Sequence, residues 1–127
     1  MNRSAACEWK PCGDEEIKAV AAHAVEKMKV LKNGQDVQTK ALFFKALGDE
    51  TRLKIIAMLN VRDLCLCEIV AGLNIPSSTI THHLQILERG QVVDSRKEGK
   101  YTIFTLNKEI LLAHTIGIFG DKLEEKR

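Results

Sequence analysis

Residues 74–90 read NIPSSTITHHLQILERG, and this stretch decides the fold. Pro76 lacks an amide proton and clashes with a preceding turn, so it is tolerated only near a helix start. Gly90 supplies a stop. The spacing therefore predicts a helix from Ser77 to Arg89. Ile80, Leu84 and Leu87 recur at i, i+4 and i+7 as its apolar stripe, and Ser77, Ser78, Thr81, His82 and Gln85 lie largely on the other side. Hydroxyls, imidazoles and amides are short or planar hydrogen-bonding groups suited to base edges and phosphates. Ser77 and Ser78 also stand at the end where a helix offers free amides to an anion. For each of them, helix capping on a solvated face is the competing role.

Upstream, Glu68, Ile69, Val70, Ala71 and Leu73 fit a short helix, and Asn74-Ile75-Pro76 a turn. Downstream, Val92 and Val93, then Tyr101, Ile103 and Phe104, flank the polar turn Glu98-Gly99-Lys100, which predicts a β-hairpin. Two short helices about a tight turn followed by a hairpin make a winged helix-turn-helix, whose second helix enters the DNA major groove. Arg96, Lys97 and Lys100 at the hairpin tip would lie beside a DNA backbone.

Further out, Ile17, Val20, Ala24, Met28 and Leu31 predict a helix over 14–32, ended by Asn33-Gly34. Asp36 caps a second helix that runs to Gly48, and Asp49 caps a third with Leu53, Ile56, Ala57 and Leu59. A last apolar helix is predicted over Lys108 to Lys122, weakened by Gly117 and Gly120. The fold class is mainly α with a small β-hairpin. Residues 1–13 carry no periodicity and contain Pro11 and Gly13, so they read as a flexible arm ahead of one domain over 14–127.

Composition narrows the function. With 127 residues, 45% of them apolar, the chain can bury one modest core. A net charge of +2 is compatible with nucleic acid without requiring it. The N-terminal stretch lacks the apolar centre of a signal peptide, and no run approaches the ~18 apolar residues of a membrane span. The expectation is a soluble, cytoplasmic protein that engages no membrane. The zinc-hydrolase pattern H-x-E with P-C-x-x-C, a Gly-rich phosphate loop and a nucleophile elbow do not occur, so neither an enzyme nor a small-molecule substrate or organic cofactor is expected.

The four cysteines form two close pairs, Cys7 with Cys12 and Cys65 with Cys67. In a reducing compartment such pairs point to metal or redox chemistry more than to structural disulfides. Residues 63–68 read DLCLCE. In an extended segment alternate side chains share a face, so Leu64 and Leu66 would face the core and both sulfurs would face out. A helix starting near Cys67 would favour its thiolate, the form that binds metal. Two sulfurs are an incomplete shell for a soft ion. In a dimer, Cys7 and Cys12 of one arm could complete it at the Cys65–Cys67 pair of the other subunit. Buried filler and a thiol redox switch are the competing readings.

KALGDETRLKIIAMLN (45–60), DLCLCEIVAGLNIPSSTITHHLQILERGQVV (63–93) and SRKEGKYTIFTL (95–106) resemble successive motifs of the ArsR/SmtB family of metal-sensing, winged-helix transcriptional repressors. The resemblance covers about residues 40–107. It implies a homodimer built on the first and last helices, bound to palindromic double-stranded operator DNA until an inducer ion lowers its affinity. The arm cysteines together with the Cys-x-Cys look like the cadmium/lead-sensing branch. Cd(II) or Pb(II) is thus the implied inducer, with Zn(II) or Bi(III) as alternatives and As(III)/Sb(III), as in the arsenic-sensing branch, next. Some members carry a second carboxylate–histidine site on the last helix. Here Lys108 and Ile110 occupy its first pair and the later positions fall near Asp121 and Glu124, so that site is expected to be absent and His114 to serve a subunit interface.

Overall fold

The computed structural model describes residues 10–29 and 37–115. Within them the order is α1 (Asp14–Lys29), α2 (Val37–Leu47), α3 (Glu50–Val61), β1 (Leu64–Cys65), α4 (Leu66–Leu73), α5 (Ser77–Arg89), β2 (Val93–Glu98), β3 (Tyr101–Leu106) and α6 (Lys108–Thr115). Asp36, the continuation of the first helix to residue 32 and that of the last helix to Lys122 lie outside the described residues, as do Cys7, Asp121 and Glu124.

Local chemistry sets the boundaries. Asp49 is extended and its carboxylate accepts the Arg52 amide at 3.1 Å, which caps α3. Asn74 closes α4 in the left-handed conformation, φ 57°, where a short amide side chain is tolerated. Helix α5 runs over the span expected from Pro76 and Gly90. The wing is an antiparallel β2–β3 ladder with Glu98 opposite Tyr101. Its two-residue connection puts Gly99 first at φ 63°, a conformation that matches strand twist and suits glycine. A third, two-residue strand joins this sheet in the order β1-β3-β2.

One core lies beneath these elements. Phe43 and Ala46 of α2, Ile55 and Leu59 of α3, Ile69 of α4, and Ile80, Leu84 and Leu87 of α5 are buried with Val92, Val93 and Phe104 of the wing. The stripe on α5 is therefore what seats the recognition helix. At its rear, Gly90 passes close to α2. A Cβ there would stand 2.8 Å from both the Ala46 Cβ and the Leu42 carbonyl oxygen.

His114 departs from expectation. It is fully buried inside its own chain, its ring 4.4 Å from that of Phe43, and its Nδ1 lies 3.5 Å from the buried Lys40 Nζ. The Nε2 is buried and has no hydrogen-bond partner among the described residues. Burial first, and the neighbouring Lys40 second, push the imidazole pKa down. An unfolded histidine protonates near pH ~6.5, so below that value the unfolded chain binds more protons and folding stability falls. The contribution is present above about pH 6.5 and is lost as pH drops from there toward the lower folded value. Urea midpoints measured from pH 7.5 to 5 are expected to decline less steeply in His114→Phe than in the wild type.

Candidate DNA-binding face and thiol site

Ser77, Ser78, Thr81, His82 and Gln85 are all exposed on α5. The N-cap position belongs to Pro76, which offers no side-chain cap, so Ser77 and Ser78 are first-turn residues rather than caps. First-turn amides have no intrahelical acceptor, and these two stand open to an anion together with their hydroxyls. The neighbouring His83 turns inward. Its Nδ1 lies 3.1 Å from Nη1 of Arg52, and Arg52 is itself buried, donating through Nε to the Ala46 carbonyl at 2.9 Å and through Nη2 to the Lys45 carbonyl at 3.1 Å. Arg52 thus closes the end of α2 and braces the middle of α5. Nothing in the local sequence marks it, because its acceptors come from other helices.

The three basic groups of the wing differ. Lys97 donates to Thr102 Oγ1 at 3.2 Å, and Lys100 is exposed in the turn. Arg96 is held by Glu98 through Nε at 2.8 Å and by Asp63 through Nη1 at 3.1 Å. Thr105 and Arg96 beside the Asp63 carboxyl hold its pKa below the usual carboxylate range.

The thiol segment corrects one expectation in detail. Only Leu64 and Cys65 are extended, paired with Phe104 and Ile103 of β3, and the helix already begins at Leu66. Glu68 accounts for the early start. It accepts the Cys65 amide at 2.9 Å, which makes Cys65 the N-cap of α4 and Glu68 the third helical residue of a capping box. The Cys65 side chain is consequently buried, 8% exposed, while Cys67 stands exposed in the first turn. Both sulfurs do not face out, yet they meet. Their Sγ atoms are 2.9 Å apart, because the chain bends into a helix between them.

Thiolate formation at Cys67 also runs against expectation. The adjacent Cys65 thiol is the first cause that pushes the Cys67 pKa up, followed by desolvation and the charge of Glu68, and these outweigh the opposite pull of the backbone amide. An ion that replaces the thiol protons would remove the first of these penalties. Clefts open on both sides of the pair. One, of about 600 Å³, is lined by Arg62, Asp63, Glu68, Arg96, Glu98 and Tyr101. The other, of about 460 Å³, lies toward the recognition helix between Leu66, Leu84, Gln85, Lys100 and Phe104. Among the described residues no three of His, Cys, Asp and Glu gather closely enough to hold an ion, so the half-buried Cys12 does not join the pair within this chain. Two thiols in contact, one exposed, fit part of a soft-ion shell and not all of it.

Comparison with known proteins agrees with this architecture. Residues 49–95 match the arsR family of bacterial regulatory proteins. The cadmium resistance transcriptional regulatory protein CadC of Listeria innocua is 34% identical over 105 residues, covering 81% of this chain and 88% of that one. A putative arsenical resistance operon repressor ArsR of Halobacterium salinarum is 35% identical over 92 residues, 71% of this chain and 70% of that one. Among solved structures, the homodimeric winged helix-turn-helix DNA-binding domain Mb0332 of Mycobacterium bovis superposes with TM-score 0.56 at 24% identity, over 61% of this chain and 79% of that one, which is a likeness of fold. The fold is that of a winged-helix transcription regulator. The chain belongs to the ArsR family of bacterial regulatory proteins. No helix among its described residues is long and apolar enough to cross a membrane.

Proposed function

We propose that the chain is a cytoplasmic transcriptional repressor that holds operator DNA as a homodimer and lets go when a thiophilic ion binds. Cd(II) or Pb(II) is the inducer this reading favours, bound by Cys65 and Cys67 with Cys7 and Cys12 of the partner subunit's arm. The observation that carries it is the Cys65–Cys67 contact at 2.9 Å at the start of α4, the helix that leads directly into the one presenting Ser77, Ser78, Thr81, His82 and Gln85. The similarity to CadC over most of both chains supports the cadmium reading, and the arsenical repressor supports As(III)/Sb(III) as the second. Zn(II) and Bi(III) fit the same donors. Assembly through α1 and the last helix is supported by the apolar residues Ile17 and Val20 on α1 and Leu112 on α6, each half-exposed or more in the single chain. A disulfide-based redox switch is the further alternative that the same sulfur contact favours.

Release requires the ion to prefer one arrangement of the dimer, and a coupling of ~1–3 kcal/mol lowers DNA affinity by about 5- to 150-fold. Half-sites about 34–36 Å apart make a dimer sensitive to small changes in the disposition of its two recognition helices. The test is a gel shift on the DNA upstream of the chain's own coding sequence, with Cd(II), Pb(II), As(III) or a thiol oxidant added separately. Shift lost with a soft ion and kept with the oxidant is the expected pattern. Metal uptake by a chain that never shifts DNA would rule the repressor reading out. On the DNA side, Gln85→Ala is expected to weaken operator binding about 5- to 150-fold, the worth of one good base contact at ~1–3 kcal/mol, and to relax the preference at a single base pair.

A further inference from the structure

Asp63 stands two residues ahead of Cys65 and belongs to neither the ion shell nor the DNA face described above. Its carboxylate is tied to the wing. Oδ2 accepts from Arg96 of β2 at 3.1 Å, between residues 33 positions apart in the chain, and Thr105 of β3 stands beside the same carboxyl and helps to hold its pKa down. The two residues that follow, Leu64 and Cys65, are in register with Phe104 and Ile103 of β3. The segment that carries the first thiol is thus bolted to the wing by backbone pairing and by an ion pair. Arg96 and both sulfurs line the same cleft of about 600 Å³. Arg96 meanwhile spends its charge on Asp63 and Glu98, which leaves it poorly placed to release counterions from DNA.

We propose that Asp63 and Arg96 are positioning residues that transmit occupancy of the Cys65–Cys67 pair to the wing. Ion uptake displaces the leading segment, and the Asp63–Arg96 pair carries that displacement into β2. This rests on the reading that the thiol pair takes up the inducer. Arg96 then acts through Asp63 and not as a phosphate contact.

The experiment uses the full chain and its operator, with Cd(II) as the probe. Cd(II) binding is read by thiolate charge-transfer absorption and DNA binding by anisotropy across a salt series. In Asp63→Asn, Cd(II) absorption and ion-free operator affinity are expected to stay at wild-type levels while the release factor shrinks about three- to fivefold, the range an exposed pair can transmit. Asp63→Glu keeps the carboxylate and is expected to retain release. In Arg96→Ala, release is expected to shrink equally while the slope of log affinity against log salt is unchanged; a phosphate contact would lower that slope by about 0.9. Full release in Asp63→Asn, loss of Cd(II) absorption in that variant, or a reduced salt slope in Arg96→Ala would overturn the coupling role and leave the repressor reading standing. A wild-type chain that binds no Cd(II), Pb(II) or As(III) would remove both.

Discussion

Cys65→Ser and Cys67→Ser are each expected to hold operator DNA within about threefold of the wild type and to lose ion-driven release altogether, a change of up to ~150-fold in the ratio of DNA affinities with and without ion. Serine is a mild replacement at both positions. At residue 65 it occupies an N-cap, where its hydroxyl is a better acceptor for a first-turn amide than a thiol is, so α4 keeps its start. At residue 67 the side chain is exposed and packs into no core. Neither change replaces a residue of the α5 face, although Thr81 and Gln85 border the same cleft as the thiols. What each removes is one of two sulfurs in contact, and a soft ion with half of that pair has lost its anchor on the DNA-binding unit. Fluorescence anisotropy on labelled operator, with Cd(II) titrated in, measures both quantities in one experiment. Release that persists in both variants would place the inducer elsewhere.

Phe43→Ala is expected to cost about 3–5 kcal/mol of folding stability, the usual range for emptying an aromatic site in a core. Phe43 has no exposed surface and packs edge-on to Phe44 at 4.9 Å and against the His114 ring at 4.4 Å. Its removal uncovers a buried polar pair as well as a hydrophobic contact, because the Lys40–His114 contact lies beside it. For a domain with a total stability of ~5–15 kcal/mol, such a loss brings the denaturant midpoint down by about a fifth at the least. Phe44→Ala, at a residue 37% exposed, serves as the control and is expected to cost clearly less.

How much of this is legible in the sequence depends on whether the deciding partners are near in the chain. Helix α5 is legible because Pro76 and Gly90 punctuate it and because its apolar spacing has one interpretation. The wing is legible because a glycine sits where two β-prone runs meet. The start of α4 is not. Alternation over Leu64–Cys67 suggests a longer strand, and cysteine is not a residue expected to cap a helix, yet Glu68 reaching back to the Cys65 amide draws Leu66 and Cys67 into the first turn. The same bend explains why the two sulfurs are near one another for a different reason than alternation. The thiol state of Cys67 escapes a reading based on the amide dipole, because a neighbouring thiol and carboxylate outweigh it. Arg52 with His83, Lys40 with His114 and Asp63 with Arg96 join residues 31, 74 and 33 positions apart, distances over which no local pattern speaks. Cys7 and the rest of residues 1–9 lie outside the described residues, so the part of Cys7 in the site is carried by chemistry alone.

Gly90 has a bearing on what kind of movement can loosen the grip on DNA. Only a residue without a Cβ fits where the rear of the reading helix meets the backbone of residues 42 and 43, so this helix and α2 lie at close range. A shift of this helix is therefore expected to carry α2 with it. On the function proposed above, the ion's effect is then felt in the wing and in the spacing of the two subunits, and not in the bed of this helix.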